Sequence, residues 1–420
     1  MAQDLVVVGL GYVGLPLAFE ASKAGLSVAG YDVSPRVLDG LNGGRSHVDD
    51  LSDADIASMV ERGFHATSDA AIFAEAKTIV VCVPTPLSEQ GGPDLGAVEA
   101  AARAIAPHIV AGQLIVLEST TYPGTTEEVV QPILEAATGL KAGTDFALAF
   151  SPERIDPGNP TYGLRNTPKI VGGIDEASTV RATEFYSQVV DTVVPARGTR
   201  EAEAAKLLEN TYRHLNIALV NEMARVFHKL DIDVWDVVRL AATKPFGFQA
   251  FYPGPGVGGH CIPIDPNYLS HHVRERLGEP FRLIELAQEI NITAPRYVAD
   301  RAADALAKDG VDIEGAPVLL LGVTYKPNIA DERESPAVDV AAALIAKGAD
   351  VRFHDPRIAA WNVEGTTLER VADLEAAIAE AAIVVVVQNH REYDVNAIAR
   401  ASVRMLDTRG TSDPGLAEHL

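Results

Sequence analysis

The sequence predicts an α/β protein with two Rossmann-like, doubly wound parallel-sheet domains joined by a long central helical region. Three observations predict it. Short β-branched runs alternate with helical stretches through about the first two hundred residues. A stretch without Gly or Pro follows from 201, and strand–helix alternation returns in the last third. At 420 residues the chain exceeds one ordinary core, so several domains are expected. Their expected bounds are 1–200, 201–310 and 311–420.

The first element is "LVVV", Leu5 to Val8, a buried parallel strand by composition. Gly9, Gly11 and Gly14 then follow with the spacing G-x-G-x-x-G at a strand-to-helix turn. The first glycine permits the tight turn and the second lets a pyrophosphate approach the backbone. The third lets helix and strand pack closely, and the helix N-terminus offers unpaired amides to phosphate. A second strand, "SVAGYD", ends at Asp32, at the distance where an acid binds ribose hydroxyls. That carboxylate favours NAD over NADP, because it would repel a 2′-phosphate. Arg36 reads as a solvated helix start. Further strands are "TIVVCVPTP", "LIVLEST" and "FALAFSPER". In such sheets ligands sit beyond the carboxyl ends of the strands, which makes Thr120 and Glu153 site candidates by position.

From 201, "EAEAAKLLENTYRHLNIALVNEMARVFHKLDIDVWDVVRLAA" predicts one or two long helices with a broad apolar face. Lys206 and Asn210 lie four apart and so share one helical face. An amine and an amide there can donate to a developing oxyanion, although a solvated polar stripe is the commoner fate of such pairs. The last third carries "APVLLLGVTYKPN", "DVRFHDP", "AAIVVVVQN" and "VRMLDTRG" as strands without a second G-x-G-x-x-G. Lys326 is placed to hold a phosphate or base edge, and Arg333 is a further anion contact.

Between these parts lies "GPGVGGHCIPIDP", 254–266, which can be neither a regular helix nor a strand. It is a shaped loop bearing His260, Cys261 and Asp265, and on local grounds a buried structural thiol is as good a reading as a reactive one. Hydride chemistry with NAD favours the reactive reading. Aldehyde oxidation needs a thiolate that adds to the carbonyl, and His260 or Lys206 would lower the pKa of Cys261. Asp265 would orient or deprotonate the attacking water. Cys82, inside an apolar run, reads as core packing.

Composition limits the remaining choices. A hydrophobic share of 47% with 22% charged residues is that of a soluble globular chain. The net charge of −23 argues against nucleic acid or anionic membrane as a partner and demands a locally positive pocket for an anionic substrate. No apolar run spans a bilayer, and no charged-then-apolar leader precedes the first strand. Two cysteines form neither a disulfide framework nor a zinc spacing, so no metal and a reducing cytoplasm are expected.

The motifs "GLGYVGLPLA", "VPTP", "ESTTYPGTTEE", "SPER", "AEAAKLLENTYRHLNIALVNE", "GGHCIPIDP" and "GVTYKPNIADERES" run nearly end to end. In them the chain resembles the nucleotide-sugar 6-dehydrogenases of the UDP-glucose/GDP-mannose dehydrogenase family. The resemblance implies four-electron oxidation of a sugar C6 alcohol to a carboxylate with two NAD per sugar. Cys261 would hold the aldehyde and thioester intermediates, and Lys206 and Asn210 would stabilise the oxyanion. Thr120 and Asp265 would handle protons and water, while Glu153 assists at the sugar. Gly9, Gly11, Tyr12, Val13, Gly14, Asp32, Pro84, Thr85, Thr120 and Arg333 would bind NAD. Glu153, Arg154, Lys206, Asn210, Gly258 and Lys326 would bind the UDP-sugar. The central helix would form a homodimer.

Two departures bear on the substrate. The UDP-glucose branch has Lys-Asp where this chain has Ile264 and Asp265, and a glutamate where it has Pro157. "SPERIDPGN" and "GGHCIPIDPNYL" resemble instead the branch acting on UDP-N-acetylglucosamine or UDP-N-acetylmannosamine. UDP-glucose is the alternative substrate. Rivals of other classes are a two-electron hydroxy-acid or 6-phosphogluconate-type dehydrogenase, which needs no Cys261, and a non-catalytic NAD sensor.

Overall fold

The computed structural model describes residues 3–48, 50–88, 92–156, 159, 161–259 and 262–420. His260, Cys261 and Pro157 lie outside the described residues. The chain forms two compact units, Met1–Glu209 with Asn267–Glu279, and Asn210–Pro266 with Pro280–Leu420.

The first unit holds β1 (Gln3–Val8), β2 (Val28–Tyr31), β3 (His65–Thr67), β4 (Ala76–Val81), β5 (Leu114–Leu117), β6 (Ala147–Phe150), β7 (Lys169–Gly173) and β8 (Val193–Pro195). They form one sheet in the order β3-β2-β1-β4-β5-β6-β7-β8. The first six positions follow the dinucleotide-binding order, and the strand order reverses between the parallel strands β1 and β4, where such sheets open their crevice. Both faces of the sheet are covered. Leu5 and Val7 pack with Leu15 and Ala18 on one side, while Val6 and Val8 pack with Val98 and Ala102 on the other. That period of two explains why β1 reads as an unbroken apolar run.

One pairing breaks the parallel rule: β7 pairs antiparallel with β6, and β8 runs parallel to β7, so the last two strands oppose the first six. A parallel return requires a crossover, usually a helix. The described part of 151–168 contains no helix, so the chain turns back beside the strand it left.

The second unit holds β9 (Pro317–Leu321), β10 (Asp350–His354), a hairpin of β11 (Ala360–Val363) and β12 (Thr366–Glu369), then β13 (Ile383–Val386), β14 (Met405–Asp407) and β15 (Glu418–His419). Its main sheet runs β10-β9-β13-β14-β15, with every pairing parallel. Two doubly wound sheets are thus present, as the alternation of strands and helices predicts.

The central region is two helices rather than one. The Thr199–Lys229 helix has 31 residues, of which those up to Glu209 belong to the first unit and those from Asn210 to the second. It stops because Asp231 adopts a left-handed φ of 56°. Asp233 then caps the Val234–Ala241 helix, its carboxylate accepting from the amides of Trp235 at 2.9 Å and Asp236 at 3.3 Å. Aspartate tolerates both conformations, which is how a stretch without Gly or Pro still breaks.

Candidate active site

The dinucleotide cradle is built locally from β1, its turn and the Gly14–Lys23 helix. Gly9 has φ 87°, and a side chain there would meet the Cys82 carbonyl oxygen at 2.7 Å. A β-carbon on Gly14 would overlap the Gly9 carbonyl oxygen, so only glycine lets the helix sit on the strand. Gly11 is different. It is exposed, and a β-carbon there would meet nothing within 4 Å, so a side chain would fill open space at the helix mouth. That is the space a pyrophosphate needs, and Val13, at the N-cap, makes no side-chain cap to block the helix amides.

Asp32, at the end of β2, is held by two backbone amides. Its Oδ2 accepts from Leu10 N at 2.9 Å and its Oδ1 from Ser34 N at 2.9 Å. The carboxylate is half-buried and keeps lone pairs for ribose hydroxyls. Tyr12 and Val13 lie half-buried against the same core cluster. The residues present therefore fit NAD: amides for the pyrophosphate, an unfilled glycine gap and a fixed ribose acceptor.

Beyond the carboxyl ends of β4, β5 and β6 the first unit gathers further polar residues. Pro84 is exposed, and the Thr85 hydroxyl donates to the Thr120 carbonyl at 2.8 Å. Tyr268 in turn donates its hydroxyl to the Thr85 carbonyl. The Lys206 ammonium, 7% exposed, donates to the backbone carbonyl of Glu153. Glu153 accepts the Ile155 amide with Oε1, and its Oε2 is buried without a hydrogen bond among the described residues. The Arg154 guanidinium grips Glu209 at 2.7 and 3.3 Å and the Pro168 carbonyl at 2.6 Å.

A buried charge cluster lies beneath these groups. Lys169 Nζ stands 2.9 Å from Glu118 Oε2, with side chains 5% and 0% exposed. Tyr186 donates its hydroxyl to Glu118 Oε1. Burial disfavours the Lys169 ammonium, but the Glu118 and Glu153 carboxylates outweigh it and hold its pKa above the usual lysine value. Burial pushes the Glu118 carboxyl up while Lys169 pulls it back, and the 2.9 Å approach of the two favours the ionised pair. Cys82 belongs to this core, and burial, with Glu118 adding, pushes its thiol well above the ordinary range. It is a packing thiol, not a nucleophile.

In the second unit, Asn210 donates its amide to the carboxylate of Asp265, and both are buried. Four residues on, His214 is fully buried and burial drops its pKa to about 4, so its imidazole is neutral. Gly258 carries the approach to Cys261. A β-carbon there would stand 2.7 Å from the Glu334 carbonyl oxygen and 2.9 Å from Tyr325 Cβ, and one on Gly259 would meet the Tyr325 ring at 2.9 Å. The glycines thus let the loop lie flat on Tyr325, next to Lys326, and on the 334–336 turn. Lys326 is half-buried, and Arg333 is paired bidentately with Asp331 at 2.8 and 2.6 Å.

The structure brings Lys206 to Glu153, Thr85 to Thr120 and Asn210 to Asp265. Sequence reasoning missed Glu118, Lys169, Tyr186 and Glu203, whose partners are remote in the chain. Among the described residues no cluster suited to a metal ion and no helix long and apolar enough to cross a membrane occurs.

Comparison with known proteins accounts for this arrangement. Three models of the UDP-glucose/GDP-mannose dehydrogenase family match in order: the NAD binding domain over 3–190, the central domain over 200–293 and the UDP binding domain over 319–414. The chain is 38% identical over 362 residues to a UDP-N-acetyl-D-glucosamine 6-dehydrogenase of Salmonella typhi, covering 86% of this chain and 83% of that one. It is 35% identical over 393 residues to a UDP-N-acetyl-D-mannosamine dehydrogenase of Pyrococcus horikoshii, covering 93% and 90%. A solved UDP-D-ManNAc dehydrogenase from Pyrococcus horikoshii superposes with a TM-score of 0.88 at 31% identity over 99% of this chain and 98% of the other. The Asp32 cradle lies within the matched NAD binding domain and the glycine loop within the matched central domain: this chain belongs to the UDP-glucose/GDP-mannose dehydrogenase family and is an NAD-dependent UDP-sugar dehydrogenase.

Proposed function

We propose that the protein oxidises the C6 hydroxyl of a UDP-N-acetylhexosamine, UDP-N-acetylglucosamine or UDP-N-acetylmannosamine, to the carboxylate in two oxidations. The observation that carries the reading is the buried Asn210–Asp265 pair, which sets an amide donor and a fixed carboxylate at the foot of the Cys261 loop. A two-electron dehydrogenase needs neither that loop nor its thiol. The substrate branch is supported by Ile264 and Pro157, and by the printed activities of the relatives.

NAD, when bound, accepts one hydride at each oxidation. In the first, Thr120 and Asp265 manage the proton leaving the C6 hydroxyl, directly or through water. The Cys261 thiolate then adds to the aldehyde carbon, and the Lys206 ammonium and Asn210 amide donate to the resulting oxyanion. The second oxidation leaves a thioester on Cys261. Asp265 then orients the water that cleaves it, returning the thiol and releasing the carboxylate. One alcohol, two NAD and one water become one carboxylate, two NADH and three protons. Gly9, Gly11, Tyr12, Val13, Gly14, Asp32, Pro84, Thr85 and Arg333 hold the cofactor, while Glu153, Arg154, Gly258 and Lys326 hold the UDP-sugar.

A thiolate chemistry requires a reducing compartment, and we place the enzyme in the cytoplasm. Leu208, Tyr212, Leu219 and Val226 are exposed at helical spacing along the Thr199–Lys229 helix, and this apolar stripe supports a homodimer.

The test is NADH formed per sugar with limiting UDP-N-acetylglucosamine, UDP-N-acetylmannosamine or UDP-glucose and excess NAD. Two NADH from an acetamido sugar is the expected result. Turnover of UDP-glucose alone would overturn the substrate branch. One NADH per sugar, or a Cys261→Ser enzyme that still yields two, would remove the thiol from the reaction.

A further inference from the structure

Glu203 lies on the Thr199–Lys229 helix three residues before Lys206, is fully buried, and has no place in the chemistry above. Its carboxylate accepts three hydrogen bonds from one short segment. Oε2 takes the Gly124 amide at 2.6 Å, and Oε1 takes the Thr126 amide at 3.0 Å and the Thr126 hydroxyl at 2.7 Å. The segment is unusual backbone. Gly124 has φ 103°, and Thr126–Val130 forms a π-helical turn, a rare geometry that recurs at functional sites.

The same segment is the far end of the turn that carries Thr120. The Thr120 carbonyl is fixed by the Thr85 hydroxyl, and its own hydroxyl has no hydrogen-bond partner among the described residues. Tyr122 leads into Thr125, whose amide and hydroxyl return to the Tyr122 carbonyl at 3.1 and 2.7 Å. At Gly124 and Thr126 the turn then meets Glu203. Neighbouring links tie the outer side to the same helix: Thr199 donates to Glu127 at 2.6 Å, and Arg200 reaches Glu127 at 3.0 Å and Glu128 at 2.9 Å. Those links are exposed or half-exposed, whereas the Glu203 bonds are buried and so specify geometry.

We infer that Glu203 is a positioning residue that sets the Thr120 hydroxyl in register with the Lys206 ammonium. It fastens the turn bearing one to the helix bearing the other. The inference rests on the proton-handling role of Thr120 proposed above. A carboxylate is required because all three partners are donors, and an acceptor-only group satisfies them together. In Glu203→Gln one oxygen becomes an amide donor facing an N–H, and the turn must shift.

The experiment uses the full-length enzyme with NAD and the UDP-sugar that turns over, comparing wild type, Glu203→Gln, Thr120→Val and the double variant. NAD affinity is measured separately by calorimetry. Glu203→Gln is expected to lower kcat by about 10–100-fold, the scale of a small misplacement at the reacting atoms. Both KM values and NAD affinity should stay within about threefold, since the cradle is untouched. The double variant should be no slower than Thr120→Val alone by more than about twofold, because both changes disable the same hydroxyl. Thr126→Ala, which deletes only the hydroxyl donor, should produce a smaller loss with the same kcat–KM split, and it stands in if Glu203→Gln does not fold. Wild-type kcat in a folded Glu203→Gln, or a double variant slowed by the product of the two single effects, would overturn the inference and leave Thr120 in its role. Wild-type kcat in Thr120→Val would overturn that role and the inference with it.

Discussion

Replacing Lys169 by methionine is the sharpest test of how the first unit is held together. The change removes the only cation bonded to Glu118 among the described residues, in a site where the side chains are 5% and 0% exposed. Breaking a buried pair by deleting one partner costs about 3–5 kcal/mol. The mechanism sets the pH dependence. Burial already pushes the Glu118 carboxyl up, with Lys169 pulling it back, so without the ammonium Glu118 folds protonated. Neutralising a carboxyl with an unfolded pKa near 4.3 costs about 3.7 kcal/mol at pH 7 but only about 1 kcal/mol at pH 5, at about 1.36 kcal/mol per pH unit. A carboxyl whose folded pKa is raised loses stability as pH rises above its unfolded value, so the deficit of the variant grows from pH 5 to pH 7. Both tryptophans, Trp235 and Trp361, lie in the second unit and do not report on this site. The assay is therefore amide hydrogen exchange of β5 and β7, corrected for intrinsic rates at each pH. Lys169→Met with Glu118→Gln, which buries no charge, should recover about 2 kcal/mol or more of the pH 7 loss. A deficit equal at pH 5 and pH 7, or below about 1 kcal/mol at pH 7, would refute the ionised-pair account.

Three further outcomes follow from the same geometry. Gly11→Ala should leave thermal stability unchanged yet weaken NAD binding by about tenfold or more, whereas Gly14→Ala should lower stability by about 2 kcal/mol or more through its collision with the Gly9 carbonyl; calorimetry of binding and unfolding separates them. His214, held neutral by burial with its pKa near 4, binds fewer protons folded than unfolded, so it destabilises the second unit as pH falls from about 6.5 towards 4. His214→Leu should flatten that acid limb, read by tryptophan fluorescence in urea, and an unchanged limb would assign it elsewhere. Leu219→Glu, in the exposed stripe of the long helix, should convert a dimer to a monomer in sedimentation velocity, while a dimer of unchanged mass would move the interface off that helix.

Much of this protein was determined by its sequence alone because the informative features are local. The cradle is a strand, a turn and a helix within about twenty residues; Gly14 answers to a contact inside that span and Gly9 to one on the next strand, while Gly11 leaves open space. The pairing of sheet strands follows from alternating apolar runs, since a doubly wound order leaves few alternatives. The apolar stripe of the long helix is equally legible, as its period belongs to the helix itself. Long-range pairing decided the rest. Glu118 and Lys169 sit at the ends of β5 and β7, which flank β6, and they meet only once β7 turns back antiparallel along β6. Glu203 finds Gly124 and Thr126 across 79 and 77 residues, and no spacing rule links an acid in a helical repeat to a π-helical turn. The break at Asp231 is of the same kind, for an aspartate enters the left-handed region only where its surroundings favour it. A buried charge reveals its partner only when the fold brings the two together, because solvent would otherwise have served both.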